Sequence, residues 1–122
     1  MNDKIKIIFM GCPEFAADIL SNLFEDDRVE VVAIYTRPPA QNRRGNGYYH
    51  HPVGDIALNK YGFSEEHIHW PYSFNNKNDF EIFKSYDCDF VCVAAYGLIL
   101  PKHILDLHPG KFLNVHASLL PR

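Results

Sequence analysis

Asn114 and His116 stand two residues apart in a run, 111–116, whose composition predicts a short strand. Successive side chains of a strand leave opposite faces, so these two emerge on one side and Leu113 and Val115 on the other. An amide donor beside an imidazole that can give, take or hold a proton suits two tasks in acyl-type transfer. One is stabilising a developing oxyanion, and the other is shuttling the proton of the attacking group. Neither residue is a nucleophile here. On spacing alone, a hydrogen-bonded structural pair has an equal claim.

Such a pair needs a rigid frame, and the sequence supplies one. The apolar run 5–10 ends in Gly11-Cys12-Pro13 and reads as a buried first strand. Phe15, Ile19, Leu20, Leu23 and Phe24 then recur at helical spacing, with Pro13 suited to the first helical position and Glu14 near the positive end of the helix dipole. A second apolar run, 29–35, completes a β-α-β unit, which makes the sheet parallel at its start. Farther on, the pattern predicts a helix over 52–61 ended by Gly62, a short strand at 66–70, a helix at 79–85, a strand at 89–95 and a helix at 102–107. With 111–116 the strands number five, alternating with helices, and the fold class expected is α/β with a doubly wound sheet. No helix follows the last strand to cover it, so the expectation is a domain cut short.

Composition narrows the possible partners. A net charge of −3 excludes a general affinity for nucleic acid, so any such contact must be local. One domain is expected across residues 1–122, because a second has no room. The three cysteines cannot all pair, and Cys88 and Cys92 are spaced wrongly for a CxxC knuckle, which suggests a reducing compartment. The run 5–10 contains Lys6 and is too short for a leader or a membrane span, so a cytoplasmic place is expected. The scattered histidines His50, His51, His67, His69, His103 and His108 lack the spaced carboxylates or cysteines of a metal site, and no metal is expected.

Open parallel sheets bind ligands at the carboxyl ends of their strands, which directs attention to the segments just after Met10, Tyr35, Ala95 and His116. Gly11-Cys12-Pro13 occupies the place of a GxGxxG turn but has one glycine and is followed by Glu14, which disfavours a close pyrophosphate. The turn reads as a tight strand-to-helix connection before it reads as a ligand contact. After the second strand, the polar stretch 36–51 holds Arg37, Arg43 and Arg44 near Tyr48, Tyr49, His50 and His51. A cluster of that kind can hold phosphates and stack on bases, or it can be a solvated loop.

The run Asn114-Val115-His116-Ala117-Ser118-Leu119-Leu120-Pro121-Arg122 resembles the signature of the methionyl-tRNA formyltransferases and their folate-dependent relatives. The resemblance continues in Ile7-Ile8-Phe9-Met10-Gly11-Cys12-Pro13-Glu14-Phe15-Ala16, where the family commonly has threonine at the position of Cys12. It extends to Val93-Ala94-Ala95-Tyr96-Gly97-Leu98-Ile99-Leu100-Pro101 and so covers essentially the whole chain.

The resemblance implies a Rossmann-like, mainly parallel sheet forming the N-terminal domain of a formyltransferase. It implies that Asn114 and His116 are catalytic, polarising the formyl oxygen of 10-formyltetrahydrofolate while an amine attacks. Ser118, Leu119, Leu120 and Pro121 match the segment lining the folate site, and Tyr96, Gly97, Leu98 and Ile99 the pterin-pocket loop. The loop 36–51 becomes the substrate-facing element, with Arg37, Arg43 and Arg44 toward the initiator methionyl-tRNA. Asn46 and Gly47 replace the lysines that usually follow the Arg-Gly pair. The family's aspartate, which orients the histidine, is implied beyond Arg122, so this chain alone is expected to be inactive. Two alternatives stay open: a sugar-nucleotide amine as acceptor, or a non-catalytic folate- or partner-binding domain. A nicotinamide-binding module is disfavoured by the single glycine after the first strand.

Overall fold

The computed structural model describes residues 3–41 and 48–115. The strands are β1 (Ile5–Gly11), β2 (Val29–Tyr35), the two-residue β3 (Ala40–Gln41) and β4 (Tyr48–Tyr49), then β5 (Ile68–His69), β6 (Phe90–Ala94) and β7 (Phe112–Val115). The helices are α1 (Glu14–Phe24), α2 (Pro52–Asp55), α3 (Lys77–Ser85) and α4 (Lys102–Leu105). Five strands form one sheet in the order β5-β2-β1-β6-β7, every pairing parallel. The order reverses direction between β1 and β6, which makes this the switch-point topology of doubly wound α/β folds.

Five expected strands are present, and the departures from expectation are local. The helix expected over 52–61 is α-helical only through Asp55 and continues as a π-turn over Ile56–Lys60. Pro13 is the N-cap of α1, with ψ 179°, rather than its first helical residue. Within the stretch read as a loop, β3 and β4 pair as a small antiparallel ribbon. The strand expected at 66–70 is reduced to Ile68–His69, preceded by a 3-10 turn.

The sheet separates two cores of different character. On the α1 side lie Ile7, Phe9, Ala16, Ala17, Leu20, Val53, Ala57 and Cys92, mostly small or aliphatic. The α3 side holds Ile8, Met10, Tyr35, Phe74, Phe83, Val91, Tyr96 and Ile104, with aromatic rings at its centre. A bulge sets which residues of β2 face which core. Ile7 pairs with Val31 but Ile8 with Ala33, so Val32 is an extra residue. Past the bulge, alternation is shifted by one, and Tyr35 turns toward Phe74 and Phe83 on the aromatic side.

Close approach on the other side depends on Gly11. A Cβ placed there would stand 2.6 Å from the Ala94 carbonyl oxygen and 2.7 Å from the Ala16 Cβ. The glycine of the first turn is therefore fixed by how tightly β1, β6 and α1 meet, in keeping with a tight strand-to-helix connection. Among the described residues, no helix is long and apolar enough to cross a membrane.

Candidate functional site

Three loops that leave the carboxyl ends of β2, β5 and β6 enclose a cleft of about 450 Å³. Residues 36–39 form one wall, Pro71 and Tyr72 a second, residues 96–98 a third, and His51 closes the lining. The Thr36 amide donates to the His69 carbonyl at 3.0 Å, which ties the exits of β2 and β5 together at the cleft's edge.

The third wall is shaped by backbone rather than by side-chain bulk. Ala95 has φ 54° and Gly97 φ 94°, so the chain enters the left-handed region twice just past β6. That conformation favours glycine and is uncommon for alanine. Between the two turns the chain carries Tyr96 inward, where its ring lies 6.5 Å from Phe74 and only 3% of the residue remains exposed. Burial pushes the Tyr96 phenol well above its ordinary value, and Tyr35 is raised in the same way, so both are neutral at any physiological pH. The hydroxyls of Thr36, Tyr96 and Tyr35 are buried without a hydrogen-bond partner among the described residues.

Charge enters from the rim. Arg37 is exposed and forms no ion pair among the described residues. Across from it Tyr72 stands 88% exposed, the most open aromatic side chain among the large exposed hydrophobics.

The structure thus brings together residues read separately from the sequence. Arg37, expected toward tRNA, shares the cleft with Tyr96, Gly97 and Leu98, expected toward folate. Ile99, also expected toward folate, does not line it. It is 90% exposed and borders a neighbouring cavity of about 360 Å³ with Ser73, Phe74 and Asn75 on the far side of the same loop. Asn114 is exposed on β7, the edge strand, opposite Val93 of β6. Val115 packs toward the α1-side core and Phe112 toward the α3-side core, so alternation puts Asn114 on the aromatic face. Arg43, Arg44, His116, Ser118, Leu119, Leu120 and Pro121 lie outside the described residues.

Sequence reasoning missed the wall made by Pro71 and Tyr72. The signal was present, because both follow a predicted strand and strand exits are where such folds bind. The histidines have local partners instead of a common centre. His67 and His69 both reach the Tyr86 hydroxyl, at 3.0 and 2.5 Å, and that single O–H can donate to only one of them. His103 bonds the Phe74 carbonyl at 3.0 Å and thereby holds the loop beneath the second cavity. His108 lies 3.6 Å from the buried Cys88 thiol, which burial pushes up to about 11. Among the described residues, no three His, Cys, Asp or Glu side chains are grouped to hold a metal ion.

A parallel sheet with this strand order and a cleft at its carboxyl edge defines a Rossmann-like α/β domain. The sequence matches the formyl transferase family over residues 3–122, and the chain belongs to that family. It is 42% identical over 122 residues to a methionyl-tRNA formyltransferase of Hahella chejuensis, covering 100% of this chain and 37% of that protein. A methionyl-tRNA formyltransferase of Nitratidesulfovibrio vulgaris is 41% identical over 118 residues, 97% of this chain and 34% of its own length. That of Pelagibacter ubique is 40% identical over 118 residues, 96% of this chain and 36% of its own. The chain therefore spans little more than a third of the relatives it matches.

Proposed function

We propose that residues 1–122 form the amino-terminal part of an enzyme that transfers a formyl group from 10-formyltetrahydrofolate to the amino group of methionyl initiator tRNA. The observation that carries this reading is the family match over residues 3–122, joined by identities near 40% to proteins of that name. In the proposed reaction the amine nitrogen attacks the formyl carbon and a tetrahedral oxyanion forms. The bond from carbon to the folate nitrogen then breaks, and the proton lost by the amine reaches that nitrogen. Asn114 donates a hydrogen bond to the oxyanion and His116 carries the proton. Ser118, Leu119, Leu120, Pro121 and the loop from Tyr96 to Ile99 hold the folate. The loop 36–51, with Arg37, Arg43 and Arg44, faces the tRNA. A cytoplasmic place of work accords with these two substrates.

Formylation of methionyl-tRNA by an enzyme carrying this segment, with Asn114→Ala and His116→Ala beside the parent, tests the reading. Loss of one oxyanion donor lowers kcat by roughly 10²–10³-fold. Denaturation midpoints of both variants, measured beside their turnover, separate a loss of chemistry from a loss of folding. Parental turnover in the His116→Ala variant rejects its role.

A further inference from the structure

We propose that His103 is a positioning residue for the folate loop, a clasp that fixes the segment 96–101 against the segment 73–75 across the cavity of about 360 Å³. The folate role of that loop rests on the functional reading above, whereas the clasp rests on geometry. Residues 73–75 line the cavity together with residues 97–99 and Pro101, so its width is the distance between these two segments. The middle of the loop has little to hold it. Gly97 has no side chain to pack, Ile99 is 90% exposed, and Leu98 and Leu100 are only partly buried against the α3-side core. Its course therefore depends on how its two ends are fastened.

Phe74 meets both ends. Its ring is buried, 5.7 Å from Tyr35 and 5.9 Å from Phe83, and it touches Tyr96 at 6.5 Å where the loop begins. At the other end His103 Nε2 bonds the Phe74 carbonyl at 3.0 Å. A carbonyl offers only lone pairs, so Nε2 carries the proton and donates. The amides of Ile104 and Leu105 donate to the Pro101 carbonyl at 3.0 and 3.2 Å, which joins the imidazole and the end of the loop within one helical turn. That turn is seated by the fully buried Ile104, and Phe80 of α3 lies 5.4 Å from the His103 ring and narrows its choice of rotamers. Among the described residues, this is the one hydrogen bond that joins residues 70–75 to residues 96–105. His103 is itself exposed, so water competes for the carbonyl, and the net worth of the bond corresponds to about two- to tenfold in an equilibrium.

The complete enzyme carrying this segment tests the clasp, by steady-state formylation of methionyl-tRNA and by titration with tetrahydrofolate, the product released in the proposed reaction. His103→Phe keeps a ring beside Phe80 and removes the donor, and His103→Gln supplies another donor of similar reach. In His103→Phe, KM for 10-formyltetrahydrofolate and Kd for tetrahydrofolate rise about two- to tenfold, while kcat and KM for methionyl-tRNA hold at the parental values. His103→Gln brings both folate constants back toward the parent. A contact that served folding alone would lower the denaturation midpoint and the active fraction, and so kcat, without singling out the folate. Parental folate constants in His103→Phe overturn the proposal and leave the functional reading standing. An equal rise in KM for both substrates, or no recovery in His103→Gln, overturns it too. A parent that binds tetrahydrofolate but does not formylate methionyl-tRNA rejects the acceptor in that reading and leaves the clasp to stand or fall on the titrations. A parent that binds no folate overturns both.

Discussion

The two faces of the sheet are built on opposite plans. Toward α1 the contacts are short and the side chains small. Gly11, Ala16 and Ala17 let the helix settle onto β1 and β6. Toward α3 the buried rings are large, and two of them, Tyr35 and Tyr96, carry hydroxyls. Tyr35, Phe74, Phe83 and Tyr96 form a linked aromatic cluster whose ring spacings lie between 5.5 and 6.5 Å. The cleft grows out of this second face, because Tyr96 belongs both to the cluster and to the cleft wall. Close contact between small residues marks one side of the sheet, and buried hydroxyls without a partner among the described residues mark the other.

The sharpest way to break that contrast is Gly11→Ala. The added methyl meets a backbone oxygen and a helix side chain at distances real Cβ atoms essentially never show, so α1 must lift or β1 must shift. Overpacking of this kind costs about 1–3 kcal/mol, seen as a lower denaturation midpoint with an unchanged slope. Adding Ala16→Gly relieves the contact with the helix but not the one with Ala94, so the double variant recovers only part of the loss. Full recovery would mean that the strand-to-strand contact at Ala94 is not limiting.

Much of this frame was legible in advance, for identifiable reasons. β1, β2, β6 and α1 are apolar segments bounded by glycine, proline and charge, and such boundaries survive any tertiary context. What stayed hidden depended on contacts distant in sequence or on a backbone choice with no side-chain mark. Residues 31–35 are all apolar, so nothing in their pattern betrays the bulge at Val32 that turns Tyr35 to the aromatic face. Alanine carries no signal for the left-handed conformation found at Ala95. The Tyr72 wall exists because β5 pairs beside β2, a juxtaposition that a two-residue strand announces weakly. Asn114 was singled out by its spacing from His116, and the structure places it on β7, opposite Val93 of β6.

A pH series tests the aromatic face more gently. His69 is packed 4.9 Å from the Tyr35 ring and bonded to Tyr86. Burial holds its imidazole below the ordinary value, and the neighbouring His67 adds to that while Asp79 opposes it. The unfolded chain therefore binds the His69 proton at a higher pH than the folded chain, near 6.5 for an unperturbed histidine. Stability from this group is complete above about pH 6.5 and declines as pH falls through the window below it. His108 is lowered too, first by burial and then by Lys111, so it adds a slope of the same sign. Denaturation midpoints between about pH 7.5 and 5 should fall for the parent and fall less for His69→Gln. An equal decline in both would move the whole effect onto His108 and other groups.

The smallest expected effect bears most directly on the contrast between the faces. Tyr35 is 1% exposed and its hydroxyl has no partner among the described residues, so it contributes apolar area and the cost of a stranded donor together. Tyr35→Phe keeps the ring contacts with Phe74 and Phe83 and removes that cost, leaving a void the size of one oxygen. The two changes nearly cancel, and stability should stay level or rise by up to about 1 kcal/mol. A loss of more than about 1 kcal/mol means that the hydroxyl is engaged in the folded protein, through a bound water that a buried polar pocket can hold. The aromatic face would then carry a hydrated network beneath the cleft.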